Sequence, residues 1–125
     1  MLRSDGGVYM KKISLSDVEK KPVTMEGARG AFKQVPISKN DGSPIFSLRV
    51  FTLEAGGNTP YHQHPYEHLN YIIAGEGVVV DERGNESVVK EGDFVLVLPD
   101  EKHQYRNTAK DESLIFICGV PKEHE

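Results

Sequence analysis

Cysteine is nearly absent from this chain: Cys118 stands alone among 125 residues. A single thiol excludes an internal disulfide framework and suits a reducing, cytoplasmic compartment. It sits in the apolar run LIFICGV, with no basic neighbour to stabilise a thiolate, and so reads as a small buried apolar residue. Positive charge is not in excess either. The formal net charge is -4 and the pI about 5.7, which offers no binding surface to nucleic acid or an anionic membrane. No apolar stretch approaches membrane-spanning length, and MLRSDGGVYMKK lacks the apolar segment of a signal peptide. Met10, followed by KKISL, reads as an alternative start that would make the first nine residues an extension. Repeats, low-complexity tracts and long helical periodicity are also lacking.

What the chain holds is a succession of short strands punctuated by glycine and proline. At this length it is one domain, able to bury a single sizeable core. Residues 1–29 mix Lys, Glu, Ser and Gly with little period and read as a loose N-terminal arm. Within it Ser14 to Lys20 forms at most a helical turn, ended by Pro22. From Gly30 onward strands are expected at Ala31–Val35, Ile45–Leu53, Leu69–Ile73, Val78–Val80, Ser87–Lys90, Phe94–Leu98, His103–Asn107 and Leu114–Val120. Turn chemistry separates them, at Asn40–Pro44, Ala74–Gly77, Glu82–Asn85 and Glu91–Asp93. The strand Ile45–Leu53 is apolar on both parities except at Ser47, Arg49 and Thr52, as suits a strand covered on both faces. Arg49 either points inward to receive a carboxylate or snorkels outward, and the outward direction is the expected one. The pattern is all-β, a sandwich or jelly-roll barrel.

Histidine is concentrated. His62, His64 and His68 fall within seven residues, and His103 follows a later apolar strand. His62 and His64 share parity, so on extended backbone their rings point to one side, while Pro65 bends the path to His68. Neutral imidazole is the commonest metal ligand, and three from one turn with a fourth from a distant strand suggest a mononuclear metal site. Four neutral imidazoles would leave the ion its full charge and a strong Lewis acidity. Proton competition for the rings predicts metal loss as pH falls through about 6. Glu101, two residues before His103, and Tyr105, sharing its parity, are weaker catalytic candidates. His124, in the charged tail 122–125, is expected to be solvated.

The spacing of these residues resembles the cupin superfamily. Gly56 is followed by five residues, His62-Gln63-His64, three residues, His68, six residues and Gly75. His68 stands where many cupins carry a glutamate ligand. In the second motif Gly92 to His103 keeps the family's length, and Asn107 follows at the family's interval. The glycine after the proline is absent there, and Pro99 stands one place late, before Asp100. The chain is thus similar to small single-domain cupins with an all-histidine metal site. That resemblance implies a double-stranded β-helix jelly-roll barrel over residues 30–121. It also implies one divalent metal per chain near the barrel mouth, held by His62, His64, His68 and His103. Mn or Fe is favoured, with Ni, Co, Cu or Zn as alternatives. A homodimer acting on a small-molecule substrate is implied as well. The reaction expected first is a dioxygenase-like oxidation of an oxygen-rich molecule, then isomerisation or decarboxylation; a non-catalytic ligand-sensing module is the alternative.

Overall fold

The computed structural model describes residues 10–125, so the first nine, and with them the choice of start, lie outside the described residues. Nine antiparallel strands follow one another: β1 (Lys21–Pro22), β2 (Arg29–Ile37), β3 (Phe46–Asn58), β4 (His68–Ala74), β5 (Glu76–Val80), β6 (Glu86–Lys90), β7 (Phe94–Val97), β8 (Gln104–Arg106) and β9 (Leu114–Pro121). Three short 3-10 turns, at Leu15–Asp17, Lys39–Asp41 and Lys122–His124, are the only helical elements among the described residues. Among the described residues no helix is long and apolar enough to cross a membrane. The hydrogen-bonded order is β6-β5-β8-β3-β9-β4-β7, with β2 on β3 and β1 on β2. This is an all-β jelly-roll barrel.

The 13-residue β3 makes the sheet roll. Its first half pairs with β9, from Phe46↔Pro121 to Leu53↔Leu114, while its far end reaches β8 through Asn58↔Arg106. Between the layers Leu53, Ile72, Val89, Tyr105, Leu114 and Phe116 form one buried cluster with Ala31. Each large apolar side chain there contributes about 1.5–3 kcal/mol on transfer from water. In β9 the alternation is strict, with Leu114, Phe116, Cys118 and Val120 all buried. Cys118 is the small core residue its sequence setting implied.

Turn chemistry falls where the glycines and prolines placed it. Gly75 joins β4 to β5 at a φ of 85°, and a side chain there would run into the Ser113 carbonyl. At the β5–β6 hairpin Gly84 takes the positive φ, and Asp81 Oδ1 accepts the N–H groups of Arg83 and Asn85 at 2.9 Å each.

Three local expectations change. The arm is tied in well before Gly30: β1 pairs with β2 through Lys21↔Lys33, and Gln34 Nε2 donates to the carbonyls of Leu15 and Val18 at 3.0 Å each. The tail is also docked, because Glu125 accepts hydrogen bonds from Ser38, Ser47 and Lys39 N–H. Arg49 points inward and is 8% exposed, whereas Phe46 and Leu48 on the opposite parity face out. Arg49 faces in on this strand because, with Phe51, it lines an interior cavity.

Candidate metal centre

Two loops bring the histidines together, and backbone hydrogen bonds fasten them to each other. His62 and His103 form an isolated antiparallel bridge: His62 N–H donates to His103 O at 3.1 Å and His103 N–H to His62 O at 2.9 Å. Thr59 extends the seam, donating its N–H to Tyr105 O at 3.0 Å and accepting the Tyr105 N–H on its hydroxyl at 2.9 Å. Asp100 N–H donates to the His64 carbonyl. His68 opens β4 and is fixed by pairing with Val97.

The four rings form a single group. Centroid separations are 4.2 Å for His62–His64, 5.4 Å for His62–His103, 5.7 Å for His64–His103, 4.7 Å for His64–His68 and 5.2 Å for His68–His103. One nitrogen from each of His62, His64 and His103 lies within 4.8 Å of the others, so three histidines can hold one ion. Ligands about 2.1 Å from a shared ion stand at most about 4.2 Å apart, and small ring rotations close that difference. His103 Nδ1 lies 2.9 Å from the Glu101 carbonyl. A carbonyl only accepts, so Nδ1 carries the proton and Nε2 keeps its lone pair free for a metal. His68 Nε2 is buried with no protein hydrogen-bond partner, an orphaned atom that a cation would satisfy.

The electrostatics favour ligation. Burial, reinforced by neighbouring rings and by Arg49, lowers the pKa of His64 to about 4. Burial and then Arg49 lower His68 to about 3. Burial also lowers His62 and His103. The imidazoles of His64 and His68 therefore stay neutral well below pH 6, and proton competition at these two sets in lower than the unperturbed histidine value suggested.

These rings line a cavity of about 480 Å³. Tyr105 belongs to its wall, but its hydroxyl donates to Asn70 Oδ1 at 2.8 Å and burial raises its pKa. Glu101 does not line the cavity: its carboxylate accepts the Leu98 N–H at 3.1 Å and braces the loop. Asn107 is structural too, donating to Leu53 O and Glu112 O at 3.0 and 2.8 Å. His124 is exposed, as expected, but its ring is also engaged. It stacks on Tyr66, with centroids 3.8 Å apart, and Tyr66 stacks in turn on His64 at 4.9 Å. Arg49 and the tail joined the site without a local sequence signal; only the isolated charge in an apolar strand hinted at Arg49.

Comparison with known proteins agrees with this geometry. A family model described as the cupin domain matches residues 49–120. Gentisate 1,2 dioxygenase 1 of Aquipseudomonas alcaligenes is 27% identical over 104 residues, which are 78% of this chain and 30% of that protein. The chain thus spans under a third of that relative's length. Among solved structures, the polyketide cyclase RemF of Streptomyces resistomycificus is 26% identical with a TM-score of 0.86, covering 91% of this chain and 80% of that one. A cupin-2 domain of Rhodospirillum rubrum is 27% identical with a TM-score of 0.76, covering 91% and 76%.

Proposed function

The chain belongs to the cupin family, and from that premise we propose that it is a divalent-metal cupin acting on a small, oxygen-rich molecule. The convergence of His62, His64 and His103 donors in one cavity carries this reading. We include His68 as the fourth ligand on the strength of its partnerless Nε2. Mn²⁺ or Fe²⁺ is the favoured ion on the resemblance to small cupins; the imidazole donors by themselves also suit Ni, Cu or Zn. When bound, such an ion supplies Lewis acidity undiminished by any carboxylate ligand.

The chain's own residues prepare the site around it. The Glu101 carbonyl holds His103 in the tautomer that presents Nε2. Phe51 and Phe116, stacked at 5.6 Å, form an apolar wall that keeps water from one side of the bound molecule. Tyr105, with its hydroxyl committed to Asn70, shapes the cavity and is not a proton carrier at neutral pH. The Tyr66–His124 stack covers His64.

A dioxygenase-like oxidation ranks first, supported by the likeness to a gentisate dioxygenase over 78% of this chain. The likeness to a polyketide cyclase makes cyclisation the second reading; isomerisation and decarboxylation stand behind both. We further propose a homodimer in a cytoplasmic setting. The pairing is supported by an apolar outer face on which Leu69, Phe94 and Leu96 are 51%, 80% and 56% exposed.

Elemental analysis of the protein as purified tests the metal reading. About one equivalent of Mn or Fe per chain is expected, with His64→Ala and His68→Ala each losing most of it and Lys110→Ala unchanged. Metal content indifferent to both histidine substitutions would sink the site. Oxygen uptake by the Fe²⁺-loaded protein with hydroxylated aromatic acids tests the oxidation; ligand binding without turnover of any kind would favour the sensing alternative.

A further inference from the structure

The cavity is cationic although the chain's net charge is -4. Lys21, Lys33 and Arg49 line it, against the side-chain carboxylate of Glu125, whose main-chain oxygen also accepts from Lys33 Nζ at 3.5 Å. That carboxylate is already engaged by Ser38, Ser47 and the Lys39 N–H. Arg49 is the most buried of the three cations. Its Nη2 donates to Cys118 Sγ at 3.1 Å, its Nε is buried without a protein partner, and among the described residues it forms no ion pair. A thiol sulfur is a weak acceptor, so this bond does not compensate the charge. A guanidinium withdrawn from water with no counter-charge is unfavourable unless something else supplies the anion.

Register aims the group. Arg49, Cys118 and Asn70 stand opposite one another on β3, β9 and β4, one row across the inner face. His68, two residues before Asn70 on the same strand, shares that face. The guanidinium lies 5.0 Å over the Phe51 ring, which together with Cys118 fixes its plane. Apolar side chains (Val23, Met25, Phe51, Phe116) supply much of the remaining wall. A positive fork, a group of imidazoles and aromatic carbon share the walls of this one cavity and select a molecule that carries matching groups. A planar fork fits a carboxylate with two parallel hydrogen bonds.

We propose that Arg49 anchors a carboxylate of the molecule bound in this cavity, so that the substrate class is a small carboxylic acid with an apolar, ring-sized body and further oxygen atoms facing the histidines. This rests on, and deepens, the reading of the histidines as the reactive end.

Benzoate is the probe, with benzamide as its uncharged counterpart, titrated into the full chain with and without bound Zn²⁺. Amide shifts of residues 49 and 118 and the melting temperature are followed. Benzoate should bind both forms, raise the melting temperature by mass action and bind at least tenfold more tightly than benzamide. Arg49→Met should weaken benzoate at least tenfold, about 1.4 kcal/mol, while holding wild-type metal content. It should also raise the melting temperature of the ligand-free protein, the opposite of what removing a merely structural arginine would do. Arg49→Lys keeps the charge without the fork and should fall between; it decides the matter if Arg49→Met fails to fold. Benzoate affinity unchanged in the variant that folds, or inorganic phosphate competing as well as benzoate does, overturns the assignment. The two readings separate cleanly. Benzoate held through Arg49 in a protein that takes up no metal sinks the metal centre alone, and full metal content with benzoate indifferent to Arg49 sinks this inference alone.

Discussion

Asp100 occupies a position that only a few residue types tolerate. Its φ is 63°, the sole positive value for a residue other than glycine among the described residues. It stands where the second motif's glycine would fall, and it adopts the conformation that a glycine would take. The loop therefore keeps the path that delivers His103, held by the Asp100 N–H on the His64 carbonyl. Aspartate accepts this region at modest cost, whereas a β-branched side chain does not. Asp100→Gly is expected to change unfolding free energy by less than about 1 kcal/mol, and Asp100→Val to lower it by about 1–3 kcal/mol, as read by denaturant titration. A neutral valine would mean the loop does not need that backbone shape. Sequence spacing alone singled out His62, His64, His68 and His103, whose rings the fold brings close together, because a shared site built from two segments imposes a joint constraint that shows in the intervals. Arg49 was harder: on a strand apolar at both parities nothing local says which face is inner, and only pairing with Cys118 settles its direction.

Among the elements, β7 ends the hydrogen-bonded order beside β4, and an exposed edge of apolar strands invites pairing. Phe94 packs its ring 4.5 Å from Tyr71, and Phe46, Leu48, Leu69 and Ile117 continue the same outer patch. If two copies meet here, light scattering should give twice 13.9 kDa for the wild type, and Phe94→Lys should give the single-chain mass with little loss of metal. A wild type that is monomeric at high concentration would refute the pairing. Strand positions were legible from alternation and punctuation to within a few residues. The extension of β3 to Asn58 was not, because Glu54 to Gly57 carry no strand preference and fall in the register break between the Leu53↔Ala31 and Asn58↔Arg29 pairs. The docking of β1 and of the tail rests on partners 12 to 87 residues away in sequence, such as Lys21 with Lys33 and Ser38 with Glu125, which no local pattern reports.

At the scale of the whole molecule, two buried imidazoles (His68, His103) and two half-buried ones (His62, His64) tie stability to pH. Their folded pKa values lie below the unfolded value near 6.5, so the unfolded chain binds more protons between the two. Stability of the metal-free protein should then be fully present above about pH 6.5 and fall as the pH drops toward the values of about 4 and 3 for His64 and His68. Thermal melts from pH 7 to pH 4 check this, and the slope should flatten in His68→Asn; a melting temperature flat across that range would contradict the burial. Bound metal should lift the whole curve. The cross-linked pair of His62 and His103 main chains has a consequence of its own. Because the two arcs that carry the donors are stitched by backbone amides and not by the cation, the socket exists before its occupant arrives. Chelation and reloading should thus be a plug-in exchange on an intact frame, and one transition ion can be traded for another without the chain ever passing through an open form.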